Sequence, residues 1–181
     1  MNLPNKITVV RVALIPVIVL LLQFQAPAFH AAALAAFLVA CFTDWLDGFL
    51  ARRYQKVTNL GRFLDPVADK LLVLSTMIAL CGLGRFPAWV CVVVLFRELA
   101  VDGLRLVAVE QGRVIAAGKL GKIKTTLQML TLVVVLLDNA PFGAFPMDQA
   151  LMYAAVAMTL WSGVDYFVRN GSVLGKGGTA A

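Results

Sequence analysis

The sequence predicts an all-α membrane protein, a bundle of six transmembrane helices with a polar cavity open to the cytoplasm. Three observations predict it. The 181 residues are 61% hydrophobic with a mean hydropathy of +0.86, whereas soluble domains are about half apolar. Six apolar runs are separated by short polar links. Lys and Arg gather in alternate links, the pattern of a chain threaded back and forth through a bilayer.

The runs cover residues 7–24, 28–51, 66–83, 86–109, 121–138 and 147–168. Each reads as a helix, because a backbone in lipid must satisfy its own hydrogen bonds. Alternating segments of strand character are missing. The first run has the outline of a signal peptide, with Lys6 and Arg11 before the apolar residues and Ala26-Pro27-Ala28 after them. A retained helix is the expectation, since further apolar runs follow. The third and fifth runs are short when only uncharged residues are counted, Leu71 to Gly84 and Thr125 to Leu137. A full span needs about 20 residues. Helices three and five must therefore continue into charged sequence, which carries Asp65, Asp69, Lys70, Lys122 and Lys124 to membrane depth. Arg97, Glu98, Asp102 and Arg105 do the same in the fourth run. Residues 1–170 form one domain in this reading, and the Gly-rich stretch 171–181 is expected to be a flexible cytoplasmic tail.

Charge gives the orientation. Segments 1–11, 52–62, 105–124 and 169–181 hold thirteen basic residues, namely Lys6, Arg11, Arg52, Arg53, Lys56, Arg62, Arg105, Arg113, Lys119, Lys122, Lys124, Arg169 and Lys176. The alternate links, about 24–30, 82–86 and 138–148, hold only Arg85. Both termini are therefore expected in the cytoplasm. The net charge of +6 favours anionic lipid or phosphate-bearing substrates. Nucleic acid is not expected, because no aromatic-basic stripe accompanies the charge. Cys41, Cys81 and Cys91 lie in or beside apolar runs without C-x-x-C spacing and read as small packing residues. His30, in an outer link, reads as an interfacial residue without a catalytic part.

One stretch breaks the apolar pattern. Asp44, Asp47, Gly48, Ala51, Arg52, Gly61, Asp65 and Asp69 spell D-x2-D-G-x2-A-R-x8-G-x3-D-x3-D. Carboxylates at membrane depth are costly unless cations or protons compensate them. Asp44 and Asp47 share a helix face, as do Asp65 and Asp69. Pro66 fits the first turn of helix three with Asp65 as its N-cap, and residues 52–64 then return the chain so that the two faces meet. Four carboxylates suit Mg2+ or Mn2+, whereas zinc is disfavoured without His or Cys. Gly48 and Ala51 let a ligand or helix approach the backbone, and Gly61 fits a turn. Arg52 has the planar fork to grip a diphosphate. Metal ions with an Arg stabilise charge in phosphoryl-type transfer. A proton- or cation-conducting relay in a transporter is the rival reading, though the outer halves of the helices are almost wholly apolar. A non-enzymatic scaffold gives no reason for converging acids.

The spacing resembles, at all eight positions, the signature of the CDP-alcohol phosphotransferase family, and the six-span pattern extends the resemblance over nearly the whole chain. TDWLDGFLARR, FLDPVADK, FRE at Phe96 to Glu98 and GKIKTTLQ at Gly121 to Gln128 resemble members whose acceptor is sn-glycerol 3-phosphate. The resemblance implies transfer of a phosphatidyl group from CDP-diacylglycerol to that acceptor with release of CMP. Inositol phosphate, serine or phosphatidylglycerol are the alternative acceptors. It also implies one or two divalent ions on Asp44, Asp47, Asp65 and Asp69, and Asp69 as general base. The residues alone do not choose Asp69 over Asp65. By the same resemblance Gly48 and Arg52 contact the CDP part, Asn5 and Thr8 in PNKIT border the cytidine site, and Thr58 is a further donor contact. Asn5 and Thr8 read equally well as a helix-start cap. Gly61 belongs to the same donor-binding set. Family resemblance further implies a homodimer in the bacterial cytoplasmic membrane.

The acceptor brings a second phosphate, and the signature supplies only one Arg. Arg97, Arg105, Lys122 and Lys124 on helices four and five are the candidates for it. Arg113 and Lys119 read as snorkelling anchors. Glu98 is placed to orient Arg97.

Overall fold

The computed structural model describes residues 3–54, 59–116 and 118–176, with side chains for all of these except 3–6, 45, 47–54, 59–64 and 176. Among the described residues the chain forms six α-helices and no strand: α1 (Leu3–Leu22), α2 (Pro27–Tyr54), α3 (Asn59–Gly82), α4 (Ala88–Glu110), α5 (Lys119–Leu136) and α6 (Met147–Asn170). Every apolar run is thus a helix. Their ends depart from the hydropathy pattern where helices run on into charged sequence. A helix needs only its own backbone bonds, so polarity does not end it.

Three expectations are corrected by this. Helix α3 begins at Asn59, so Pro66 lies inside it and Asp65 is not its N-cap. Gly61 sits in the first turn of α3 and not in a separate turn. His30 belongs to the start of α2. Pro66 costs α3 one backbone bond, which a helix with packed neighbours tolerates.

The ends that do stop have local causes. At the end of α3 the Arg85 N–H bonds to the Leu80 carbonyl (2.9 Å), the Gly84 N–H bonds to Cys81 (2.9 Å), and Gly84 has φ +71°. At the end of α4 the Arg113 N–H bonds to Ala108 (2.8 Å), the Gly112 N–H bonds to Val109 (2.9 Å), and Gly112 has φ +70°. Both are left-handed caps that favour glycine. Helix α5 ends the same way on Asp138 (φ 54°), a residue type that tolerates this conformation.

The helices group into two compact units. The first comprises residues 1–87 and 132–146, the second 88–131 and 147–181. In the first, α1 packs along α2 and α3. The buried positions of α1 are Thr8, Arg11, Ile15, Ile18 and Leu22, a three-four spacing that defines one seam. Ala33, Phe37 and Ala40 form the seam of α2, and Leu72, Val73, Met77 and Leu80 that of α3. Arg85 binds this unit at its other end. Its Nη2 donates to the Val135 carbonyl (2.8 Å), it pairs with Asp138, and its Nη1 meets His30 Nδ1 at 3.4 Å.

In the second unit α4 packs on α6. Val101, Leu104, Ala108, Tyr166 and Val173 form its core. Asp148 in the first turn and Arg169 in the last turn of α6 match the helix dipole. Gly171–Lys176, the first part of the expected flexible tail, instead form a short 3-10 helix. Buried Val173 and a bond from Gln111 Nε2 to the Val173 carbonyl (2.9 Å) hold it. Residues 177–181 lie outside the described residues.

Two helical stretches are long and apolar enough to cross a membrane, Pro27–Asp44 and Met147–Gly175. Large apolar side chains point outward in both units, for example Leu20 at 62%, Phe96 at 74% and Val168 at 79% exposure.

Candidate functional site

The seams of the first unit change character at one end. In α1 the Ile15–Ile18–Leu22 seam is continued by Arg11 and Thr8, three and four residues apart. The α2 seam is continued by Asp44, four residues after Ala40. That of α3 is preceded by Asp69 and Asp65. Packing of the apolar parts therefore delivers the polar parts to one another.

They meet as follows. Arg11 is fully buried, and its Nη1 lies 2.8 Å from Asp44 Oδ1 and 2.8 Å from Asp69 Oδ1. Thr8 donates its hydroxyl to Asp65 Oδ1 at 2.8 Å. Asp44 and Asp69 keep 36% and 34% of their side-chain surface open. So Asp44 of α2 and Asp69 of α3 meet on one guanidinium. Asp47 lies one turn beyond Asp44 on α2, and its side chain is outside the described set, as are those of Asn5, Gly48, Arg52 and Gly61. Thr58 lies outside the described residues altogether.

Among the described residues no three acidic, His or Cys side chains are grouped to hold a metal. Oxygens of Asp44 and Asp69 lie at equal distance from one cationic nitrogen, that of Arg11. The guanidinium marks a point where hard oxygen donors from two helices focus on positive charge. That donor set fits a hard divalent cation.

The basic candidates separate into different surroundings within the second unit. Arg97 Nη1 bonds Glu98 Oε1 at 3.2 Å, and Lys124 pairs with the same oxygen. Arg97 Nη2 also donates to Ser162 Oγ at 3.1 Å. Gly163 makes room for it, since a Cβ there would lie 3.2 Å from Arg97 Cγ. Glu98 thus orients Arg97, as expected, and Lys124 as well. Arg105 is engaged elsewhere, donating from Nε to the Tyr166 hydroxyl (3.0 Å) with its guanidinium 5.4 Å from the ring centroid. Lys122 is exposed on α5. The structure therefore joins Arg97 to Lys124 through Glu98, while Arg105 bonds Tyr166 and Lys122 is exposed.

Arg11 is the residue that sequence reasoning missed. By position in the chain it falls among the basic residues that orient the protein. Its signal was present: it lies one turn after Thr8 and one turn before Ile15, on the buried face of an apolar helix. Ser162 and Tyr166 carried no such signal, since a hydroxyl on an apolar helix is commonplace.

The model of the CDP-alcohol phosphatidyltransferase family matches residues 1–161. The chain belongs to this family. It is 44% identical, over 96% of its length and 97% of the relative's, to a CDP-diacylglycerol–glycerol-3-phosphate 3-phosphatidyltransferase of Bacillus subtilis. A protein of the same description from Pseudomonas fluorescens is 41% identical over 92% of this chain and 88% of its own. A probable phosphatidylglycerophosphate synthase of Mycobacterium tuberculosis is 41% identical over 93% and 81%. This CDP-alcohol phosphatidyltransferase thus carries Asp44 and Asp69 on Arg11 where α1 packs against α2 and α3.

Proposed function

We propose that the protein transfers a phosphatidyl group from CDP-diacylglycerol to sn-glycerol 3-phosphate, giving phosphatidylglycerophosphate and CMP. The observation that carries this reading is the meeting of Asp44 and Asp69, one from each half of the signature, around a single cation. The activities for which relatives matching nearly the whole chain are named support the choice of substrates.

Asp69 takes the proton from the C1 hydroxyl of glycerol 3-phosphate. The freed oxygen attacks the lipid-side phosphorus of the donor. The bond from that phosphorus to the bridging oxygen breaks, and CMP leaves with the electron pair. A positioned base of this kind contributes about 10²–10⁴-fold. Asp44, Asp47, Asp65 and Asp69 are the residues that would hold one or two Mg2+ or Mn2+ ions. Such an ion, when bound, offsets the charge of the diphosphate. Thr8 steers the Asp65 carboxylate by its hydrogen bond. Gly48, Arg52, Gly61, Asn5 and Thr58 serve the CDP part of the donor. Arg97 and Lys124, both held on Glu98, receive the acceptor phosphate, with Arg105 and Lys122 as outlying contributors.

The six helices span the bacterial cytoplasmic membrane, with the acidic ends in a cavity open to the cytoplasm. The asymmetry of basic residues and the outward apolar side chains support this. A homodimer is expected from family resemblance, and the mass of the detergent-solubilised protein tests it.

CMP release from CDP-diacylglycerol tests the function. The purified protein with Mg2+ should release CMP with glycerol 3-phosphate, and Asp69→Asn or EDTA should abolish release. Release that depends instead on inositol phosphate, serine or phosphatidylglycerol would overturn the acceptor. Ion flux in liposomes without CMP production would overturn the enzyme reading.

A further inference from the structure

Arg11 heads the fully buried side chains of the described residues by volume, at 0% exposure. A buried guanidinium is costly unless paired and hydrogen-bonded. Here one of its nitrogens serves two carboxylates on different helices, Asp44 Oδ1 and Asp69 Oδ1, both at 2.8 Å. Two carboxylates that share a site repel unless a positive charge lies between them. Arg11 supplies that charge from α1, held in register by the Ile15–Ile18–Leu22 seam below it. The side chain therefore occupies the focus of the two acids that the proposed function assigns to a divalent ion.

We propose that Arg11 is the resident counter-cation of the acidic site. Its guanidinium holds Asp44 and Asp69 together, and a divalent ion bound by these acids would have to compete with it. Arg11 is thus a positioning residue that acts through the acids. Two opposite effects follow from one substitution. Removing the guanidinium leaves two carboxylates facing each other, which destabilises the metal-free protein. It also removes a competing positive charge, which tightens metal binding. A guanidinium that only braced the fold would show the first effect without the second.

The proposal rests on the reading of these acids as metal ligands, and the experiment separates the two. Full-length protein in detergent, stripped of metal, is titrated with Mn2+, with free Mn2+ followed by electron paramagnetic resonance and the unfolding midpoint recorded alongside. Arg11→Gln should lower the metal-free midpoint by several degrees and bind Mn2+ at least threefold more tightly than wild type. Arg11→Lys, which keeps the charge on a strongly hydrated point donor, should fall between them. Purification in Mn2+ followed by competition with a fluorescent chelator keeps Arg11→Gln measurable if it does not fold without metal. Wild-type binding with equal or weaker Mn2+ affinity in both variants overturns the role of Arg11 alone. Absence of Mn2+ binding in the wild type overturns the metal reading and this proposal together.

Discussion

Thr8 on α1 donates its hydroxyl to the Asp65 carboxylate on α3 across 2.8 Å, between residues 57 apart in sequence. Thr8 is itself 1% exposed. The bond fixes the orientation of one signature acid from a helix outside the signature. Thr8→Val keeps the shape and removes the donor, leaving a carboxylate oxygen less satisfied. The expected cost is about 1–3 kcal/mol of stability, with a higher Mg2+ requirement for CMP release. Thermal unfolding and a Mg2+ titration of turnover measure the two. An unchanged Mg2+ requirement would show that Thr8 does not steer Asp65.

Arg97 and Lys124 share Glu98. If they receive the acceptor phosphate, Lys124→Met should raise the KM for glycerol 3-phosphate about tenfold or more, the worth of one charged hydrogen bond. The KM for CDP-diacylglycerol should stay put. Glu98→Gln removes the charge that balances both cations and should destabilise the fold by about 3–5 kcal/mol. Parallel rises in both KM values for Lys124→Met would count against an acceptor role.

Gly163 is the space that Arg97 uses, with an added Cβ only 3.2 Å from Arg97 Cγ. Gly163→Val should push Arg97 off Ser162 and cost about 1–3 kcal/mol through overpacking. Weaker use of glycerol 3-phosphate should accompany the loss. Steady-state kinetics beside an unfolding curve tests this, and unaltered kinetics in the Val variant would refute it.

At the opposite end of the first unit, Arg85 is three-quarters or more buried, whereas Asp138 is 67% exposed. An exposed ion pair contributes little, so Asp138→Asn should cost below about 1 kcal/mol. Arg85→Ala also removes the bond to the Val135 carbonyl and should cost about 1–3 kcal/mol. Burial lowers the pKa of the Arg85 guanidinium, so desolvation opposes part of what the bonds contribute. Equal costs for the two variants would mean that the ion pair, and not the carbonyl bond, holds this end.

Much of the architecture was legible in the residues. Each of the six apolar runs is a helix, and the shortness of Leu71–Gly84 correctly required α3 to extend through Asp69 and Asp65. Boundaries were less legible. Pro66 looked like a helix start, yet α3 begins seven residues earlier at Asn59, because an interior Pro removes one bond without ending the helix. The tail looked featureless by composition, and only burial of Val173 between neighbours orders its beginning.

By itself the sequence determined that four carboxylates lie at helical spacing at the ends of two apolar runs, in the signature of one enzyme family. Spacing along a helix sets which side chains share a face, so this much is local. Tertiary structure alone decided that Arg11, 33 residues from Asp44 and 58 from Asp69, is the cation between them. It also decided that Arg97 and Lys124 meet on Glu98 while Arg105 turns to Tyr166. Those pairings depend on which helix seams pack together, and a partner on another helix leaves no periodicity in the chain.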